Sequence, residues 1–143
     1  MKKALAIVAI LFSQVAYPSS PEELIGSLFS GLRANDAQKA TDGFLSKNSH
    51  STHNDSTRMK FEKHFGDLID LAGRFHNGEL LERKRIGKTV DARVYLLNHS
   101  KKPVQMTVVF YKQKNTWAVK HMHLNIDFAE DISDEIRKAS IHK

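Results

Sequence analysis

Two histidines near the carboxyl end of the chain have a spacing that suits metal chemistry. His121 and His123 lie two residues apart in a segment that predicts a strand, so both imidazoles project from one face. Such a pair binds zinc when a third donor approaches, and the candidates are His50, His53 and Asp127. The alternative is a solvated pair, because the apolar residues of this segment occupy the opposite phase. Without a third ligand at a fixed spacing, the sequence predicts no metal and no cofactor.

Three aromatic residues and a histidine are the candidates for lining a ligand pocket: Tyr95, Tyr111, Trp117 and His121. Their spacing suits contacts between neighbouring strands, which ordinary packing within a sheet also produces. If the four residues face a cavity, His121 is the group that can carry a proton near neutral pH.

Four carboxylates are candidates for a general base: Asp42, Asp67, Asp70 and Asp127. Asp67 and Asp70 fall on the polar side of a predicted helix, where solvation explains them. No catalytic motif connects these acids to a nucleophile or to a histidine at a diagnostic spacing. The sequence therefore favours a protein without enzymatic activity and leaves an enzyme as the alternative.

The elements that position these residues begin with predicted helices. Ser20 and Glu23 form a capping box that starts the first helix, and Asp36 caps the second. A third helix carries apolar residues at helical spacing over residues 61–72. Between the second and third helices, residues 46–57 contain no aliphatic or aromatic side chain and predict a surface loop.

The apolar period changes to two after the turn predicted at Asn77–Gly78. Short turns separate the segments that follow, so they predict an antiparallel meander. The four predicted strands span residues 80–86, 90–96, 104–112 and 117–128.

The fourth predicted strand contains an irregularity. Trp117 and Val119 are apolar in one phase, whereas Met122, Leu124 and Ile126 are apolar in the other. A β-bulge near Lys120-His121 would bring both groups onto one face and would bend the strand. The sequence therefore predicts a curved sheet.

The first 18 residues have the layout of a secretory signal peptide. Lys2 and Lys3 precede the apolar run Ala4–Phe12, which is too short to span a bilayer as a helix. Cleavage after Ala16 or within residues 17–20 fits this layout. We expect a periplasmic or secreted protein that meets the membrane only during export.

Residues 19–128 are expected to form a single α+β domain, and residues 129–143 a polar terminal helix or tail. The chain has no cysteine, so the core alone must stabilise the exported domain. The formal net charge is +6. The densest basic run, residues 82–85, lies inside a predicted strand, where a solvated face explains it better than nucleic-acid binding.

Three stretches carry a family resemblance: LFSGLRANDAQKATDGFLS, FGDLIDLAGRFHNGELLERKRIG and VVFYKQKNTWAVKHMHLNID. Together they cover most of residues 21–128 and resemble the nuclear-transport-factor-like superfamily. The resemblance implies a cone-shaped, cystatin-like α+β fold, with N-terminal helices packed on a curved, mostly antiparallel four-stranded sheet. That superfamily includes isomerases, dehydratases, ligand carriers and dimerisation modules, and no catalytic motif of its enzymes matches here. The Gln-x-Val-x-Gly loop of cystatin-type inhibitors is also absent.

Three functions remain open at this point. The first is a non-enzymatic domain that binds a small apolar ligand or a protein partner through its curved sheet. The second is a lyase- or isomerase-like enzyme with a His/Asp pair in the cone. The third is a homodimer formed through the sheet. A cone filled by the side chains of Phe61, Phe65, Trp117 and Met122 would count against a pocket.

Overall fold

The computed structural model describes residues 20–45 and 55–141. Within these residues the chain forms helices and one antiparallel sheet with strand order β1-β2-β3-β4, which confirms the predicted α+β class. The predicted signal peptide, most of the predicted loop, and His50 and His53 lie outside the described residues. The elements are α1 (Pro21–Arg33), α2 (Ala37–Leu45), α3 (Asp55–Ala72), β1 (Phe75–Ile86), β2 (Val90–His99), β3 (Pro103–Gln113), β4 (Thr116–Asn125) and α4 (Phe128–Ile141).

The two predicted helix caps are confirmed. The Ser20 hydroxyl accepts a hydrogen bond from the backbone N–H of Glu23 at 3.2 Å, and the Glu23 carboxylate accepts one from the Ser20 N–H at 3.4 Å. Asp36 accepts from the Lys39 N–H at 3.0 Å at the start of α2. These bonds satisfy backbone donors that have no partner within the helix.

The sheet has two faces with different environments. On the inner face, alternate residues of β2 and β3 are buried against the helices, and Phe44 and Phe65 pack there with Phe110. The other face, which we call the outer face, carries the intervening residues. Its residues are half-buried or exposed, and the central ones are Val90, Ala92, Val94, Leu96, Thr107, Val109, Tyr111, Ala118, His121 and His123.

The predicted β-bulge in β4 is confirmed. Val109 of β3 pairs with His121 and Phe110 pairs with Val119, so Lys120 is the extra residue. One extra residue shifts the alternation of side chains by one place. The apolar residues on either side of the bulge therefore share the inner face: Trp117, Val119, Met122 and Leu124.

The turn predicted at Asn77–Gly78 is wrong, because both residues lie inside β1. Asn77 accepts a side-chain hydrogen bond from Asn98 of β2 at 2.6 Å, and Gly78 pairs with the following strand. The ring of Phe29 on α1 occupies the space that a side chain at position 78 would need. Glycine is present here for close packing rather than for a turn.

Strand β2 buries the face opposite to the one that its alternating apolar residues indicate. A half-buried strand ordinarily turns its apolar residues to the core. In β2 the buried residues include the polar Asp91, Arg93 and Tyr95 as well as Leu97 and His99, whereas Val94 and its apolar neighbours lie on the outer face. The inner face tolerates these polar residues because their charged groups bond to one another, as described below.

The remaining differences concern the ends of elements. Helix α3 begins at Asp55, inside the predicted loop, and β4 ends at Asn125 rather than at Phe128. The Asn125 side chain accepts from the Asp127 N–H at 3.1 Å and turns the chain into α4, where a terminal helix or tail was expected. No helix among the described residues has the length and apolar character needed to cross a membrane.

Candidate functional site

A cluster of charged side chains lies on the inner face where β1 and β2 meet the start of α1. We call it the Arg93 cluster. The guanidinium of Arg93 donates to the Asp91 carboxylate at 3.0 and 3.2 Å and to the Tyr95 hydroxyl at 3.2 Å. Its Nη2 also donates to Glu22 of α1 at 2.6 Å. Arg83 of β1 donates to the same two carboxylate oxygens of Asp91 at 3.2 and 2.7 Å, which completes the cluster.

The cluster stabilises the ionised forms of Asp91, Arg93 and Glu22. Burial alone would raise the pKa of Asp91, but hydrogen bonds from Arg93 and Arg83 outweigh it and hold the pKa below its usual range. Burial would likewise lower the pKa of Arg93, and its bonds to Asp91, Tyr95 and Glu22 raise it instead. The pKa of Glu22 is lowered chiefly by its hydrogen bond from Arg93.

The chemistry open to this cluster is structural. A general base needs a pKa near the working pH and a free lone pair directed at its substrate. Asp91 has neither, because its side chain is fully buried and both oxygens accept hydrogen bonds from arginines. Since Glu22 belongs to α1, the Arg93 cluster ties the first turn of that helix to the sheet.

The other buried titratable group on β2 is His99. Its Nδ1 lies 2.8 Å from the carbonyl oxygen of Gly73, so Nδ1 carries the proton and donates, while Nε2 has no hydrogen-bond partner among the described residues. Burial lowers the pKa of His99. His99 lies eight residues from Asp91 along one extended strand, roughly 26 Å away. These two buried groups therefore cannot form a His/Asp pair with each other.

Side chains of the described residues pack together between the helices and the sheet. Phe65 is fully buried, with ring centroids 5.8 Å from Phe44 and 6.1 Å from Phe61. Trp117 is buried, and Met122 packs against the same core. Phe61, Phe65, Trp117 and Met122, whose packing was expected to count against a pocket, therefore all contribute to the core. Three concavities formed by described residues lie at the surface, the one beside α1 and Lys39 enclosing about 500 Å³.

The four residues predicted to line a pocket divide between the two faces. Tyr95 and Trp117 are buried on the inner face, where Tyr95 belongs to the Arg93 cluster. Tyr111 is 43% exposed, and its pairing with Val90 places it on the outer face. His121 is also on the outer face. The sheet separates the two pairs, so the four side chains do not line one cavity.

The histidine pair projects from one face, as the spacing predicts. His121 pairs with Val109, His123 pairs with Thr107, and both side chains are exposed on the outer face. Across the described residues, no group of three His, Cys, Asp or Glu side chains is arranged to hold a metal ion.

Sequence reasoning did not find the Arg93 cluster. One signal in the sequence could have indicated it. Asp91 and Arg93 carry opposite charges two residues apart, and both lie on the same side of the strand as Leu97. Leu97 is fully buried, so its phase identifies the inner face of β2. The alternation of Val90, Ala92 and Val94 instead predicts that the face carrying these three residues is the buried one.

Comparison with known proteins identifies the class of fold. No protein-family model and no curated protein matches the chain. Among solved structures, the chain is similar to the 2.00 Å crystal structure of a protein described as an NTF2-like transpeptidase from Campylobacter jejuni. The likeness covers 71% of this chain and 97% of that chain, at 15% sequence identity and a TM-score of 0.51.

The described domain thus has an NTF2-like fold, the nuclear-transport-factor-like architecture that the sequence resembles.

Proposed function

We propose that this protein is an exported, non-enzymatic binding domain that uses the outer face of its sheet to bind a protein partner. The observation that carries the proposal is the reversed phase of β2. Polar residues are turned inward to the Arg93 cluster, and Val90, Ala92, Val94 and Leu96 are turned outward.

The outer face has the composition of an interaction surface. Val94 and Val109 lie on neighbouring strands at its centre and are only half-buried, and the Tyr111 ring is exposed beside them. Ile86 at the end of β1 extends the apolar area and is 57% exposed. Contiguous apolar surface on a soluble domain marks an interaction site more often than isolated apolar residues do.

The inner face has little space and few unpaired polar groups for a small ligand among the described residues. Its aromatic and aliphatic side chains pack together, and its buried charges are matched within the Arg93 cluster. A small-molecule site is ordinarily a concave apolar cavity with a few converging polar groups. This contrast favours a protein partner over a small apolar ligand.

Position-specific photo-crosslinking in the producing cell tests the binding surface. A benzophenone amino acid replaces Val94 or Val109 on the outer face, and Glu62 on the exposed side of α3 serves as the matched control. We expect adducts of defined mass from the two outer-face positions and none from the control. Equal labelling from all three positions, or no adduct from the outer face, would contradict the proposal.

Export is tested separately by cell fractionation and by the intact mass of the purified protein. We expect the protein outside the cytoplasm, with a mass that corresponds to cleavage after Ala16 or within residues 17–20. A cytoplasmic protein that retains residues 1–18 would refute the signal-peptide prediction.

A further inference from the structure

Two β-hairpin turns lie side by side at one end of the sheet. The turn between β1 and β2 spans residues 87–89, and the turn between β3 and β4 spans residues 114–115. The backbone N–H of Lys112 donates to the carbonyl oxygen of Thr89 at 2.7 Å, which ties the first turn to the strand that enters the second. We call residues 84–90 and 111–120 together the hairpin end of the domain.

The hairpin end is basic and contains no acidic residue. Its basic residues are Lys84, Arg85, Lys88, Lys112, Lys114 and Lys120. Among the described residues, none of these six side chains forms an ion pair. The segments outside the described residues contain no Asp or Glu, so they supply no acidic side chain that could neutralise this charge.

The acidic residues nearest in sequence leave this charge in place. Asp91 is fully buried in the Arg93 cluster, whose two arginines and two carboxylates cancel in charge. Glu82 is exposed on β1, but it comes four residues before Ile86, which is roughly 13 Å along an extended strand. The positive charge of the hairpin end is therefore presented to its surroundings.

An apolar row crosses the outer face directly beside these cations. Successive strand pairs place in this row Ile86, Val90, Tyr111 and Ala118. Ile86 is 57% exposed, and Tyr111 is 43% exposed. The row therefore puts exposed apolar surface next to lysines that have no acidic partner among the described side chains.

This combination indicates what kind of anion the hairpin end fits. A phosphate ion or a soluble polyanion would match the charge, but neither removes the Ile86 side chain from water. A bilayer does both, because its anionic headgroups attract Lys and Arg while its interfacial region takes up apolar side chains. The ring of Tyr111, apolar with a polar tip, is of the kind that lies at the level of the headgroups.

We infer that the hairpin end docks on the surface of a bilayer that contains anionic phospholipid. Lysines of the two turns lie against the headgroups, and Ile86 enters the interface. The inference extends the expectation from the sequence, which confined membrane contact to export. It also goes beyond the proposed function, because it concerns the end of the sheet and needs no protein partner.

Cosedimentation with lipid vesicles tests the charge contact, using the protein purified from the producing cell. We expect binding to vesicles of equal parts phosphatidylcholine and phosphatidylglycerol that weakens with added salt, and far weaker binding to phosphatidylcholine alone. Lys88→Gln combined with Lys114→Gln should bind the anionic vesicles about tenfold or more weakly, since each charge near the surface contributes about fivefold.

The matched control removes the same charge from the opposite end of the sheet. There the backbones of Arg74 and Lys101 are joined to the turn between β2 and β3 and to the end of α3, and both residues are exposed. Arg74→Gln combined with Lys101→Gln should bind like the wild type. Any affinity of residues 1–18 for lipid is common to all these variants. Equal binding to both kinds of vesicle, or equal weakening by both double variants, would overturn the inference.

A second matched pair tests the apolar contact. Ile86→Ser shortens an exposed side chain at the hairpin end, and Leu71→Ser shortens an equally exposed one on α3, where Leu71 is 56% exposed. We expect Ile86→Ser to weaken binding to the anionic vesicles about fivefold and Leu71→Ser to leave it unchanged. Equal binding by the two variants would show that Ile86 does not enter the bilayer and would overturn the inference.

Other anions give different outcomes. Sodium phosphate and sodium chloride at equal ionic strength should weaken vesicle binding equally, because both act by screening. Release by phosphate alone would assign the cations to a discrete phosphate ion. Binding to polyglutamate without binding to anionic vesicles would assign them to an acidic chain. Either result would overturn docking on a bilayer.

The outcomes are independent of those for the proposed function. Protein adducts from Val94 and Val109 without vesicle binding keep the proposed function and remove this inference. Vesicle binding by the hairpin end without such adducts does the reverse.

Discussion

Nη2 of Arg93 lies 3.0 Å from Oδ2 of Asp91, and both side chains are buried on the face of the sheet that packs against the helices. Because of this pair, the side of β2 that carries charged residues is the buried one. It joins the sheet to Glu22 of α1 and leaves the apolar residues of β2 on the outer face. The stability of the domain and its proposed binding surface therefore depend on the same strand.

Removing the arginine of this pair should destabilise the fold strongly. Arg93→Met leaves Asp91 buried with Arg83 as its one remaining arginine, and it removes the bond to Glu22. Loss of one partner from a buried pair typically costs about 3–5 kcal/mol in the free energy of unfolding. Urea denaturation followed by circular dichroism measures the change.

Arg85→Met is the control for that substitution, because Arg85 is exposed on β1. We expect it to change the free energy of unfolding by about 0.5 kcal/mol or less. A loss below about 1 kcal/mol for Arg93→Met would show that the buried pair adds little to stability.

The domain should lose stability in mild acid through His99. Burial lowers the pKa of His99 in the folded state, whereas the unfolded state has the ordinary value of about 6.5. As the pH falls through that value, the unfolded chain takes up the proton first, so the free energy of unfolding decreases from there down to the folded pKa. Protonated Nε2 would also be a buried donor without an acceptor among the described residues.

Chemical denaturation at a series of pH values between 7 and 5 tests this prediction. His99→Asn keeps a donor for the Gly73 carbonyl and removes the titration, so its stability should depend less on pH than that of the wild type. The variant with exposed His121→Asn should keep the wild-type dependence. If the free energy of unfolding depends on pH equally in the wild type and in His99→Asn, the acid sensitivity belongs to another group.

Two glycines of α1 should respond in opposite ways to a methyl group. Gly31 packs against α2, and a Cβ there would overlap the backbone of Ala40, whereas a Cβ at Gly26 meets nothing within 4 Å. We expect Gly31→Ala to cost about 1–3 kcal/mol through overpacking. Gly26→Ala should gain about 0.5–1 kcal/mol from helix propensity. Melting temperatures of the pair test this, and a stabilised Gly31→Ala variant would mean that α1 and α2 can separate.

Deleting Lys120 should disrupt the core although the side chain is exposed. Without the bulge, the residues before and after it cannot share the inner face, and either Trp117 and Val119 or Met122 and Leu124 must turn outward. Each apolar side chain lost from the core costs about 1.5–3 kcal/mol, so the deletion should cost roughly 3 kcal/mol or more. Lys120→Ala keeps the residue count and should stay within about 0.5 kcal/mol of the wild type in urea denaturation. A deletion variant of wild-type stability would show that the bulge is dispensable.

Local patterns predicted much of the fold because their causes are local. The Ser20 and Glu23 capping box, the helical stripe of α1 and the bulge at Lys120 each depend on residues a few positions apart. The resemblance to nuclear-transport-factor-like proteins supplied the arrangement of helices on a curved sheet, and the structural comparison supports it. The turn expected at Asn77–Gly78 failed because the ring that explains Gly78 comes from Phe29, far away in sequence.

The candidate sites were less predictable, since a strand pattern says which residues share a face and not which face is buried. The sequence by itself determined that Asp91, Arg93 and Tyr95 lie on one side of β2 and that no disulfide stabilises the domain. Tertiary structure alone decided that the charged side is the inner one. Arg83 and Glu22 come from other elements to match the charges there, and desolvation of Arg93 and Asp91 is offset only when those partners are in place.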